Sequence, residues 1–73
     1  MNDEFRQCLA EALEVDVSAL GPDYRLEDSD MWDSMTVVTV IALIDEHYGK
    51  SVDGQKLTGC ETVEDIDKLI EST

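Results

Sequence analysis

Positive charge is what this chain has least of. Five Lys and Arg stand against eighteen Asp and Glu in 73 residues, a formal net charge of −13 at pH 7. A field of that sign repels phosphate backbones and anionic headgroups over the whole surface, which argues against nucleic-acid binding and membrane attachment. No run reaches the roughly 18 apolar residues of a bilayer span, so no membrane insertion and a cytoplasmic location are expected. Aromatic residues are scarce too: two Tyr, one Phe and one Trp. The core therefore has to be built from Leu, Val, Ile and Ala, the usual materials of a helical bundle. Cys8 and Cys60 are far apart, and neither has a second Cys or a His at metal-ligand spacing. With no secretory leader ahead of them, both read as reduced, small packing residues. A single disulfide is the rival reading, and nothing else here suggests an oxidising compartment.

What is present fits one small domain over residues 1–73, with no room for a second lobe or an enclosed active-site cleft. The acidity favours basic partner proteins and speeds their encounter. Its cost is self-repulsion: crowded carboxylates are expected to raise one another's pKa and to limit stability at low salt.

Phe5, Leu9, Ala12 and Leu13, with Cys8 between them, recur at helical spacing. They predict a first helix over 3–14, capped by Asn2 or Asp3. A long connection, Val15 to Asp33, follows; Gly21-Pro22 breaks any helix, and Val17, Leu20, Leu26 and Met31 are its apolar anchors. So long a loop in so small a domain is often functional. From Ser34 to Tyr48 there is no Gly or Pro, and Gly49 stands where a C-terminal cap belongs. At 100° per residue Val37, Val40, Ile41, Ile44 and Tyr48 form one stripe of this second helix, expected to be core. Met35, Val38, Thr39, Ala42, Asp45 and Glu46 fall on another, expected to face outward. A single short helical turn over 53–58 packs Leu57. Thr62-Val63-Glu64-Asp65 reads as the capped start of a last helix with Val63, Ile66, Leu69 and Ile70 buried. The expected fold is all-α: a four-helix bundle of three longer helices and one short one, with a long loop between helices one and two.

Asp33-Ser34 opens the second helix after the acidic run Glu27-Asp28-Ser29-Asp30-Met31-Trp32. Taken alone, the pair is an N-cap, with Asp33 accepting orphan N–H groups. A hydrolase built on Ser34 fails on geometry. The sole histidine, His47, lies thirteen residues along the same helix, roughly 20 Å away, where it reads as a favourable partner of the helix dipole. A calcium loop starting at Asp28 fails as well, since its sixth position is Asp33 instead of Gly and its twelfth is Thr39 instead of Glu. The remaining rival is an unmodified small acidic module that binds one protein through Met35, Val38 and Ala42.

In this register, Trp32-Asp33-Ser34-Met35 resembles the acyl carrier protein family, including peptidyl and D-alanyl carriers, whose signature is Asp-Ser-Leu at the start of the second of four helices. The resemblance runs through Val15-Asp16-Val17-Ser18, Gly21-Pro22-Asp23 and Asp45-Glu46-His47-Tyr48-Gly49. It implies a free-standing, monomeric carrier with no catalysis of its own, working in fatty acid, polyketide or nonribosomal peptide biosynthesis. A phosphopantetheinyl transferase would esterify Ser34 with phosphopantetheine from coenzyme A, and Asp33 would assist its recognition. An acyl- or aminoacyl-loading enzyme and downstream transferases or synthases would then read the outward stripe. Met35 departs from the usual Leu by a near-isosteric swap, as in the D-alanyl carriers. Thr36 and Thr39 stand where fatty-acid carriers generally show acidic residues on the outward face, which points to a specialised pathway.

Overall fold

The computed structural model describes residues 2–73. Four helices make up its frame: α1 Asp3–Leu13, α2 Ser34–Tyr48, α3 Gly54–Thr58 and α4 Val63–Ser72. No strand forms among the described residues; there is only an isolated bridge between Arg25 and Thr62.

Each longer helix starts on a cap that satisfies one or two of its orphan N–H groups. Asn2 accepts from the amides of Glu4 and Phe5 at 2.8 and 3.2 Å. Asp33 accepts from Thr36 at 3.0 Å, and Thr62 with Asp65 forms a reciprocal capping box on α4. The ends are equally local. Gly49 closes α2 at φ +65° and donates to the Asp45 carbonyl at 2.9 Å. α1 ends one residue earlier than its periodicity suggests, because Glu14 turns left-handed at φ 55°. Its N–H returns to Glu11 and that of Val15 to Ala10, a Schellman closure. Glycine is the usual residue at such a turn, and a side chain there costs about 1 kcal/mol.

The core gathers Phe5, Leu9 and Leu13 from α1, Val37, Val40 and Ile44 from α2, Leu57 from α3, and Val63, Ile66 and Ile70 from α4. Each fully buried aliphatic side chain contributes on the order of 1.5–3 kcal/mol. Phe5 sets the pairing of the two long helices: its ring meets Tyr48 edge-on at 5.4 Å and His47 at 6.0 Å. The Tyr48 hydroxyl in turn accepts the Asn2 N–H at 2.7 Å. His47 in the last turn of α2 thus has an aromatic neighbour in addition to its place near the helix terminus. Tyr48 and Ile41, read as core, are only partly buried. Tyr48 keeps its polar tip at the rim, and Ile41 borders the groove between α2 and α3.

The long connection is not structureless. It contains two 3-10 turns, Val17–Ala19 and Leu26–Asp28. Leu20 and Leu26 anchor it as expected, whereas Val17 and Met31 are each 37% exposed and do not. Tyr24 and Trp32 share the packing instead. Backbone bonds then sew the loop to the approach and start of α4: Leu26 N–H to Glu61 O at 2.9 Å, Val63 N–H to Tyr24 O at 3.1 Å and Glu64 N–H to Pro22 O at 3.1 Å. Both cysteines are free and partly buried.

Candidate functional site

Ser34 is the first residue of α2 and is exposed. Asp33 holds the extended conformation of a cap (φ −136°, ψ −175°) and commits one carboxylate oxygen to Thr36. The first turn of α2 itself contains no acid, so the serine lies at the positive end of the helix dipole with the cap carboxylate on one side. Asp28 and Asp30 are exposed on the approach, and their negative charge works against that positive field.

Two depressions meet at Ser34. One, a shallow groove of about 660 Å³, runs between α2 and α3 past Val37, Val38, Ile41, Gly54, Gln55 and Thr58. The other, about 380 Å³, lies on the outward face beside Met35, Val38 and Thr39. The groove is narrow at Gly54: a Cβ there would come within 3.3 Å of the Ile41 Cδ1, a tight contact with the end of a flexible side chain. The α3 side of the site was not legible in the sequence, since 53–58 signals only a buried leucine. A separate hollow of about 280 Å³, lined by Arg6, Leu20, Pro22, Val63, Glu64 and Asp67, shares no residue with the Ser34 site.

Of the outward stripe, Met35 is 80% and Val38 65% exposed, and Thr39, Ala42, Asp45 and Glu46 are exposed beside them. Thr36 departs from its expected place. It is 7% exposed, because it lies one turn before the buried Val40 on the same side of the helix. The neutral character of the upper outward face therefore rests on Met35, Val38 and Thr39 alone. Among the described residues no cluster of three His, Cys, Asp or Glu is placed to hold a metal, and no helix is long and apolar enough to cross a membrane.

Ser29 is a residue that pattern reading missed. It is buried, its hydroxyl donates to the Leu13 carbonyl at 3.1 Å, and its oxygen accepts the Met31 N–H at 3.2 Å. A serine inside an acidic surface run gives no sequence signal of burial.

A small helical bundle that presents one serine hydroxyl at a helix start, with open ground on both sides, has the build of a carrier loaded from outside. Comparison with known proteins gives the family. Residues 3–70 match the family described as phosphopantetheine attachment site. The acyl carrier protein MbtL of Mycolicibacterium paratuberculosis (strain ATCC BAA-968 / K-10) is 37% identical over 67 residues, which cover 92% of this chain and 75% of that protein. No solved structure matches. The chain belongs to the acyl carrier protein family and tethers acyl intermediates on a covalently attached phosphopantetheine arm. It serves biosynthetic enzymes that act on the tethered group.

The residues present fit that arm. An exposed hydroxyl at a helix N-terminus suits a phosphodiester, and the two depressions leave a flexible chain room to pass.

Proposed function

We propose that Ser34 is the attachment residue and that this chain is a monomeric, cytoplasmic carrier of acyl or aminoacyl groups for a specialised biosynthetic pathway. The observation that supports this most is the exposed Ser34 hydroxyl at the first residue of α2, directly after the capping Asp33, within the segment that matches the family. When bound, the arm supplies a terminal thiol that holds cargo as a thioester. The chain itself supplies position. α2 fixes the ester oxygen at the end of the bundle, Asp33 orders the first turn and gives the transferase a carboxylate to read, and the outward stripe selects enzymes. Met35 and Val38 form the apolar centre of that stripe, with Thr39 and Ala42 around them and Asp45 and Glu46 as its charged rim. The chain has no catalytic role of its own in this account, because the sole histidine, His47, is in the last turn of the helix that Ser34 begins. The relative MbtL is an acyl carrier, which favours an acyl cargo. The test is the intact mass of protein made alongside a phosphopantetheinyl transferase: an added phosphopantetheine in the wild type, absent in a folded Ser34→Ala, supports the reading, and an unmodified wild type overturns it.

A further inference from the structure

Ser29 lies five residues before Ser34, and its hydroxyl joins two parts of the chain that helix geometry leaves unfinished. The Schellman closure of α1 satisfies the carbonyls of Ala10 and Glu11 through Val15 and Glu14. The Leu13 carbonyl, one of the orphans at the helix end, takes the Ser29 hydroxyl instead, at 3.1 Å. The same oxygen accepts the Met31 N–H at 3.2 Å. From there the bonds run on toward the site: Trp32 N–H to the Ser29 carbonyl at 3.2 Å, Asp33 N–H to the Met31 carbonyl at 3.0 Å, and Thr36 N–H to the Asp33 carboxylate at 3.0 Å. Ser29 is 7% exposed, whereas Asp28, Asp30, Met31, Asp33 and Ser34 around it are exposed. A single buried hydroxyl thus ties the surface approach to Ser34 to the end of α1.

We infer that Ser29 is a positioning residue for the modification of Ser34: it holds residues 30–33 in the one path that presents Asp33-Ser34 to the transferase. The inference rests on the reading of Ser34 as the attachment site. Removing the hydroxyl leaves the Leu13 carbonyl without that donor and frees the Met31 amide. Residues 30–33 then sample other paths, and a transferase finds only a fraction of the carrier ready to dock. Its apparent affinity drops by that fraction, while the step after docking is unchanged.

The experiment combines hydrogen exchange with transferase kinetics on the full chain, using coenzyme A as donor. In the wild type, the Met31 amide should exchange at least about tenfold more slowly than an unprotected amide; free exchange there overturns the latch without any variant or any modification being needed. In Ser29→Ala, amides of 31–33 should lose protection while those of α2 and α4 keep theirs. The KM for the carrier should rise about three- to tenfold with kcat within about twofold. Ser29→Thr, which keeps the hydroxyl, should restore most of the KM. Unchanged KM in a folded Ser29→Ala, or a loss of protection spread evenly through the bundle, would show that Ser29 is a packing residue only. A wild type that the transferase cannot modify defeats the assignment of Ser34 instead, and the exchange result still judges the latch by itself.

Discussion

Asp33 has two roles that one substitution can confuse and two can separate. Its carboxylate caps α2 through the Thr36 amide, and in the proposed function the same group is read by the transferase. Asp33→Ala should cost about 1 kcal/mol in urea unfolding, the usual loss of an N-cap. Asp33→Asn should recover nearly all of that stability, since Asn caps as well as Asp, yet should still be modified more slowly. Wild-type rates in Asp33→Asn would reduce Asp33 to a cap. At this scale the helix start was legible, because Asp33 as cap and Ser34 as first helical residue follow from local chemistry; their proposed role came from the resemblance of the surrounding pattern. The burial of Thr36 and Ser29 was not legible. Each is a small polar residue whose burial depends on what packs across from it: the core beside Val40 in one case, the Leu13 carbonyl in the other.

Helices α4 and α2 show how charge acts when it is tied to particular elements. The Asp65 carboxylate closes the α4 capping box by accepting the Glu61 and Thr62 amides at 3.0 and 3.2 Å, and these bonds hold its pKa below the ordinary aspartate range. Asp16 is lowered in the same way by Ser18. Crowding of like charges predicts the opposite direction; these two groups instead follow their hydrogen-bond donors, which act against a raising effect of burial. A depressed folded-state pKa stabilises above the unfolded value, and that contribution is lost as pH falls through the folded one. The window therefore lies below about pH 4. Unfolding free energy measured across that range should fall more gently in Asp65→Asn than in the wild type, and equal slopes would contradict the assignment. On α2, no acid precedes Asp45, and the exposed Met35 and Val38 stand nearest the attachment end. Val38→Glu should therefore impair loading by the dedicated enzyme far more than Asp45→Ala, with both variants folded; the reverse order would indicate a partner that reads acidic residues. Helix boundaries were legible from the sequence to within a residue or so because caps are local. The groove between α2 and α3 was not, because it is formed by residues of two elements, Ile41 and Val38 on α2 with Gly54 and Gln55 on α3, that no local pattern links.

Across the whole molecule, a net charge of −13 on 73 residues opposes compaction. The pairs Arg25 with Glu27 and Lys68 with Glu64 are well exposed and do little to offset it. Screening should therefore stabilise the fold: the melting temperature near neutral pH should climb as salt shortens the Debye length from tens of ångströms to a few. A melting curve indifferent to salt would mean that self-repulsion does not limit stability. The all-helical fold was legible at this scale from the helical spacing of its apolar residues and the length of its second helix. The ordering of the long loop was not, because its bonds to the start of α4 join residues some forty positions apart. The central claim is that one serine out of five carries the arm, and its most direct test is peptide mass spectrometry after reaction with coenzyme A and a broad-specificity transferase. The account predicts a single phosphopantetheine on Ser34 and none in Ser34→Ala; an adduct on Ser18, Ser29, Ser51 or Ser72, or no adduct on the folded wild type, would contradict it.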